Sequence, residues 1–214
     1  MEMVIFKDLK YSLGSSKRAV TVSGEVIPQS ILHVRGQSGS GKTTLLKILA
    51  RLKSADSGNI SFENRDWNTI PHHLWRKCVH YVSQKPVIFT GTFLENLMVP
   101  FGLKANRDGK EYDRHKVLEL MSRFQLSENL LGSNAKKLSV GEASRMGLLR
   151  SLLFNPQVLL VDEPVAALDT FTRRAVLAVL TDWVQQAENR AVILVSHDID
   201  TFTFENTLDL PLGS

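Results

Sequence analysis

The sequence predicts an α/β fold: a P-loop-type parallel-sheet core with an N-terminal antiparallel β subdomain and an inserted α-helical subdomain. Short, nearly continuous apolar runs alternate with helical segments, which is typical of strands covered on both faces of a parallel sheet. A mostly helical middle interrupts this alternation, and the first part of the chain has the pattern of antiparallel strands.

The predicted parallel strands are the four apolar runs of the chain. They are SILHVRG (30–36), VHYVS (79–83), VLLVDE (158–163) and AVILVS (191–196). Helical patterns follow from Lys42, Thr170 and Asp198. Strands that alternate with helices in this way favour βαβ units and a parallel sheet.

Two regions differ from this core. At the N-terminus, MVIFKDLKYSL and RAVTVSGEV are predicted to form antiparallel strands that GNISFEN joins. The middle contains the helical stretches TFLENLM, YDRHKVLELMSRF, SENLL and VGEASRMGLLRSLLF. We therefore predict one domain, with residues 1–85 and 155–214 as the core and residues 86–154 as a helical subdomain.

Composition limits the functional classes. A single cysteine, Cys78, excludes an intrachain disulfide and favours a reducing compartment. The start MEMVIFKDLK has no basic stretch followed by an apolar one, so no secretory signal is expected. No apolar run approaches the roughly 18 residues of a membrane span. The net charge of +4 suits an anionic ligand or a membrane surface.

The stretch GQSGSGKT (36–43) follows an apolar strand and precedes a helix, which is the context that a phosphate-binding P-loop requires. Glycines let the backbone N–H groups face the phosphates, Lys42 is expected to reach the β and γ phosphates, and Thr43 to bind Mg²⁺. The predicted nucleotide-binding residues of this segment are Gly36, Gln37, Ser38, Gly39, Ser40, Gly41, Lys42, Thr43 and Thr44.

An acidic pair completes this pattern. In VLLVDEP an apolar strand ends at Asp162, which is expected to hold Mg²⁺ through water, and Glu163 follows as a candidate general base. A P-loop and an acidic pair at the end of a buried strand predict a P-loop nucleotidase of unspecified kind, with Mg²⁺ bound near Thr43 and Asp162.

Five further features, in this order, resemble the ATP-binding subunit of ABC transporters over essentially the whole chain. They are Tyr11 before the P-loop, Gln84 after VHYVS, the segment KKLSVGEASR, AALD (166–169), and His197 after VILVS. The resemblance implies that Tyr11 stacks on adenine, the alternative being a core or edge-strand tyrosine. It implies that Gln84 contacts Mg²⁺ and the hydrolytic water, and that His197 contacts the γ-phosphate. Glu163, His197 and Gln84 would be catalytic, and Thr43, Gln84 and Asp162 would bind the metal.

The resemblance also implies that LSVGE contributes to a neighbouring protomer's site. Ser139 and Gly141 would then supply hydrogen-bond donors to the γ-phosphate of ATP bound by the partner. Val140 and Glu142 depart from the family's LSGGQ. A β-branched Val140 disfavours a positive φ, and Glu142 adds negative charge near the phosphate unless Arg145 pairs with it.

One P-loop and one such segment per chain imply an ATP-dependent head-to-tail homodimer, with Asp169 at its interface. The stretch PVIFTGTFLENL resembles the family's groove for a cytoplasmic helix of a separate transmembrane permease subunit. Ile88, Phe89 and Phe93 would form its apolar wall, the alternative being that both phenylalanines pack inside the protein. The resemblance thus places the chain at the cytoplasmic face of the membrane, bound through the permease.

The expected function is ATP hydrolysis that powers transport. Members described as iron-export ATP-binding proteins resemble this chain in the PVIFTGTFLENL run and the helical segment, which favours metal-ion export. Peptide or lipoprotein release is the next cargo class. A non-transport ABC ATPase of DNA repair or translation, or a small-molecule P-loop kinase, are the rival classes, and no nucleic-acid partner is expected.

Overall fold

A computed structural model describes residues 2–14, 18–102, 113–166, 168–196 and 204–211. The strands and helices are, in chain order, β1 (Val4–Leu13), β2 (Arg18–Val26), β3 (Ser30–Arg35), α1 (Lys42–Leu49), β4 (Ser57–Phe62), β5 (Arg65–Asp66), α2 (His72–Cys78), β6 (Val79–Val82), α3 (Phe93–Gly102), α4 (Arg114–Arg123), α5 (Val140–Phe154), β7 (Val158–Asp162), α6 (Thr170–Gln185), β8 (Ala191–Val195) and β9 (Asn206–Asp209).

The central sheet is parallel and has the strand order β6-β7-β8-β3-β9. Side chains alternate between its two faces, and in β7 this alternation divides the strand between two hydrophobic cores. Val158 and Leu160 pack in one core, whereas Leu159 and Val161 pack in the other. Because both faces are covered, every residue of β7 is buried, which is why this strand is an unbroken apolar run in the sequence.

The first core lies between the central sheet and an antiparallel sheet with the order β2-β1-β4-β5. Helices α1 and α2 also pack into it, and Trp75 of α2 is fully buried there. Gly58, at φ +106°, lies where β4 passes the bulge in β1, and a Cβ at this position would lie 2.5 Å from the Cα of Leu9. The close approach of the two backbones therefore requires glycine.

The second core covers the opposite face of the central sheet. It joins α3, α4 and α5 to α6 and to the sheet, as Phe93, Met146 and Leu177 illustrate. The helical segment between β6 and β7 therefore shares one continuous core with the rest of the chain. None of the helices in the described ranges is long and apolar enough to cross a membrane.

The predicted fold class is confirmed, including the antiparallel pairing of the N-terminal strands and the helices that begin at Lys42 and Thr170. SENLL forms a short 3₁₀ turn, Glu128–Leu130, rather than an α-helix. Strand β9 was not predicted, and it pairs with β3 at the edge of the sheet. The helix predicted from Asp198 lies outside the described residues.

Candidate active site

The P-loop connects β3 to α1 and depends on glycines with left-handed backbone conformations. Gly41 is the N-cap of α1 at φ +97°, and a Cβ there would lie 3.0 Å from the Tyr11 ring and 2.9 Å from the Leu13 side chain. Glycine at this position lets the loop pack tightly onto β1 while the backbone turns into the helix.

Lys42 opens α1 and bends back over the loop. Its ammonium group donates to the carbonyls of Gly36 at 2.7 Å and Gln37 at 3.0 Å. The residue is 5% exposed, and burial lowers the pKa of its amine although Glu163 and Asp162 act in the opposite sense. This cation is held by two neutral carbonyls, so an anionic ligand in the loop would be a stronger partner.

Asp162, at the carboxyl end of β7, accepts one hydrogen bond on each carboxylate oxygen. Thr43 Oγ1 donates to Oδ1 at 3.0 Å, and the Tyr81 hydroxyl donates to Oδ2 at 2.9 Å. Burial, followed by the neighbouring Asp162 charge, raises the pKa of Tyr81, so its hydroxyl stays protonated as a donor. Tyr81 was missed by the sequence analysis, although its position in the strand before Gln84 indicates proximity to this sheet edge.

Glu163 follows directly and adopts a strained backbone conformation at φ 48°. Its N–H donates to Val195 O at 2.9 Å, and its carboxylate Oε2 accepts a hydrogen bond of 2.9 Å from Gln84 Nε2. Strand β6 ends at Val82, so Gln84 lies two residues past the strand rather than at its end. The structure thus brings together two residues that are 79 positions apart in the chain.

A cleft of about 320 Å³ lies over the P-loop. It is lined by Leu13, Ser38, Gly39, Gly41, Lys42, Thr43, Thr44 and Glu163. Ser40 was predicted to bind nucleotide but does not line this cleft. Its side chain is fully buried, and its N–H donates to Gln37 O, so Ser40 stabilises the fold of the loop. A larger cleft of about 710 Å³ lies at Arg51 and Trp67, away from the acidic pair, so size does not identify the site here.

Tyr11 requires a correction. Its ring was predicted to stack on adenine, but it is fully buried in the first core and packs beneath Gly41. The hydroxyl reaches Gly41 O at 3.4 Å. The core alternative is therefore the one observed, and the ring has no exposed face for a base. Leu13, two residues further along the same strand face, is the apolar side chain that lines the cleft.

The donor set fits Mg²⁺. The hydroxyl of Thr43 and the buried carboxylate of Asp162 are hard oxygen ligands 3.0 Å apart, at the mouth of a phosphate-binding loop. The described residues contain no cluster of three or more histidine, cysteine or acidic side chains. Mg²⁺ sites in proteins commonly use one or two carboxylates and complete the coordination shell with substrate phosphates and water.

Ser139 and Asp169, predicted at an interface, both cap helices. Ser139 is the N-cap of α5 and Asp169 is the N-cap of α6, where its carboxylate accepts from the N–H and hydroxyl of Thr172. Neither these residues nor Gly141 lines the P-loop cleft. His197 lies outside the described residues.

Comparison with known proteins adds independent findings. A family model described as ABC transporter matches residues 20–166. The chain is 34% identical over 194 residues to the probable iron export ATP-binding protein FetA of Escherichia coli K12, covering 91% of this chain and 84% of that protein. It is 33% identical over 177 residues to the molybdenum import ATP-binding protein ModC of Hahella chejuensis, covering 80% of this chain and 47% of that protein.

Among solved structures, an ATP-binding cassette determined as a dimer in a post-hydrolysis state with bound ADP and Pi has the same fold. Its TM-score is 0.82 at 25% sequence identity, and the alignment covers 97% of this chain and 94% of that chain.

The Tyr81–Asp162 bond gives a first prediction. Tyr81→Phe removes the donor to one oxygen of a buried carboxylate, so the free energy of unfolding should fall by about 1–2 kcal/mol. Urea denaturation measures this change. Tyr11→Phe is the control, because its hydroxyl makes only a long 3.4 Å bond. An equal loss in both variants would show that the Asp162 contact has no special role.

Proposed function

The chain belongs to the ABC transporter family, whose ATP-binding cassettes hydrolyse ATP to power transport, and we propose that it powers metal-ion export through a separate transmembrane subunit. The hydrogen bond between Gln84 and Glu163, beside the P-loop, is the observation that carries the catalytic part of the proposal.

Within one protomer, the P-loop holds the nucleotide. The backbone N–H groups of the loop and the start of α1 face the phosphates, and Lys42 exchanges its two carbonyl partners for phosphate oxygens. Thr43 and Asp162 would hold Mg²⁺, with Gln84 as the third residue beside the ion, and the bound ion would supply positive charge to offset the charge of the phosphates. Leu13 provides apolar contact in place of the buried Tyr11.

Glu163 is the proposed general base. Its carboxylate takes a proton from the water that attacks the γ-phosphate, and Gln84 fixes the carboxylate through the 2.9 Å hydrogen bond. His197 is proposed to contact the γ-phosphate, because it matches a histidine of the family that does so. Because Gln84 also begins the segment that leads into α3, nucleotide state at Glu163 is linked directly to the helical region.

A second copy completes the site. The P-loop cleft of one chain is lined by Leu13, residues of the P-loop and α1, and Glu163, whereas the N-terminal residues of α5 and α6 are not among its lining residues. We propose a head-to-tail homodimer in which Ser139 and Gly141 of each chain contact ATP held by the other, with Asp169 at the interface. Val140 is 69% exposed as the first residue of α5, so it fits a surface that a second copy covers.

The surface after Gln84 is the proposed coupling surface for the transmembrane subunit. Val87 is 60% exposed and Phe89 43% exposed, and Arg150 supports both by donating to Val87 O at 3.0 Å and lying over the Phe89 ring. The side-chain amide of fully buried Asn96 fixes the backbone of Phe89, because it accepts a hydrogen bond from the Phe89 N–H and donates one to the Phe89 carbonyl. Phe93, predicted to form part of this wall, is instead 0% exposed in the second core, and Val87 takes its place.

Metal export is the finer part of the proposal. Its support is the relative named as an iron export protein, although a molybdenum import protein is also similar. In this proposal the chain works at the cytoplasmic face of the membrane, bound through its permease, and residues 86–154 are the helical subdomain that moves with nucleotide state.

Glu163→Gln should retain ATP binding and lose hydrolysis by about 10²–10⁴-fold, because an amide cannot accept the proton from water. The variant should form a stable dimer with ATP on size exclusion, while phosphate release is measured in parallel. Hydrolysis at the wild-type rate would refute the assignment of Glu163.

Phe89→Ala should leave the ATPase activity of the isolated chain unchanged and weaken binding to the transmembrane subunit by about 2 kcal/mol or more, the range of an aromatic anchor. Pull-down of the co-expressed subunit measures the binding. Ile27→Ala is the matched control, since Ile27 is equally exposed at 43% and lies in the turn between β2 and β3. If the Phe89→Ala chain unfolds, or if it still binds the transmembrane subunit normally, the proposal that this surface is a coupling surface is wrong.

Cargo is tested with the purified complex in lipid vesicles. Fe²⁺ or Mn²⁺ should stimulate ATP hydrolysis several-fold through the complex and not through the isolated chain. Stimulation by peptides or lipoproteins, without any response to metals, would replace metal export with a release system while leaving the ATPase assignment intact.

A further inference from the structure

The Glu142 carboxylate is hydrogen-bonded to Ser139, the residue that, under the proposed function, contacts the nucleotide held by the partner. The Glu142 carboxylate Oε2 accepts from the Ser139 N–H at 2.8 Å and from the Ser139 hydroxyl at 2.8 Å. The Glu142 N–H donates back to Ser139 Oγ at 3.2 Å, which completes a capping box at the start of α5.

These bonds use the donors that a γ-phosphate would need. The backbone N–H and hydroxyl of Ser139 both point at one carboxylate oxygen, which is itself an anionic acceptor like a phosphate oxygen. An incoming phosphate therefore meets satisfied donors and a like charge at the same place. It must displace the carboxylate before the interface can close.

Arg145 does not neutralise this carboxylate by pairing with it. Its guanidinium donates to three backbone carbonyls, those of Gly141, Phe124 and Gln125. The bonds from Ser139, and then the more distant charge of Arg145, hold the pKa of Glu142 below its usual value. The carboxylate is thus charged at neutral pH, and the pairing with Arg145 that would offset this charge is not made through a hydrogen bond, since that guanidinium donates to backbone carbonyls.

We propose that Glu142 is an internal competitor for the Ser139 donors, which raises the ATP concentration needed to close the dimer. This inference rests on the proposed head-to-tail dimer and deepens it. The Glu142 side chain occupies the phosphate position in the open state, and ATP bound by the partner displaces it on closure. Glu142 is in this sense a positioning residue, since it acts through Ser139.

The experiment uses the hydrolysis-deficient Glu163→Gln chain, with and without Glu142→Gln, and measures dimer formation against ATP concentration by light scattering. Glutamine retains the shape of the capping box but has a neutral amide oxygen that releases the Ser139 donors more easily. The ATP concentration at half-maximal dimerisation should fall about five- to tenfold. The change stays within this range because solvent screens the charge of the partly exposed Glu142 carboxylate. ATP affinity of the dilute monomer should stay unchanged.

Glu95 provides a matched control. It forms the same capping box with Thr92 at the start of α3, with its Oε2 accepting from the Thr92 N–H at 2.6 Å and hydroxyl at 3.0 Å. Glu95→Gln should leave the dimerisation midpoint unchanged, although it alters the helix cap in the same way. Melting temperatures of both variants show whether cap stability alone changes.

Three outcomes overturn the inference. If Glu142→Gln leaves the midpoint unchanged while the dimer still forms, the competition does not exist. If Glu95→Gln shifts the midpoint equally, the effect comes from helix stability. If ATP produces no dimer in either background, the proposed head-to-tail assembly itself fails, and the role of Glu142 fails with it.

Discussion

The carboxylate of Asp162 is the constraint on which the site depends. It lies 3% exposed at the end of β7 and receives one donor from the first turn of α1 and one from β6. Three elements far apart in sequence are therefore fixed relative to one another by two hydrogen bonds in a buried setting, where an unpaired carboxylate would be costly. The positions of Glu163 and Gln84 are fixed as a result, because Glu163 directly follows Asp162 and Gln84 lies three residues after Tyr81.

The groups proposed to act between protomers also stabilise the protomer itself. Ser139 and Asp169 each satisfy backbone donors at a helix start, which typically contributes about 1 kcal/mol. In the proposed dimer, closure on these residues would redirect hydrogen bonds that already exist, rather than add bonds to free groups. Such an exchange would keep the net gain in free energy small, which suits an interface that must reopen after hydrolysis.

Motif spacing predicted the P-loop and the acidic pair, because both depend on local backbone patterns, whereas the place of Gln84 at this site was expected only from the family resemblance. The burial of individual side chains could not be predicted in the same way. Tyr11 and Phe93 have strand and helix positions that permit either burial or exposure, and tertiary packing placed both at 0% exposure. Tyr81 escaped notice because only the parallel pairing of β6 with β7 brings it to Asp162.

Mixed dimers test the central claim, that two chains share each site, most directly. Lys42→Ala removes the lysine proposed to bind phosphate and Ser139→Arg removes the donor proposed to act in trans, so on this account neither variant alone has a complete site. In a Glu163→Gln background, a mixture of the two variants regenerates one complete site per mixed dimer. Light scattering should then show ATP-dependent dimers, with one ATP retained in each, in the mixture and in neither variant alone. A mixture that stays monomeric like its components would contradict the account.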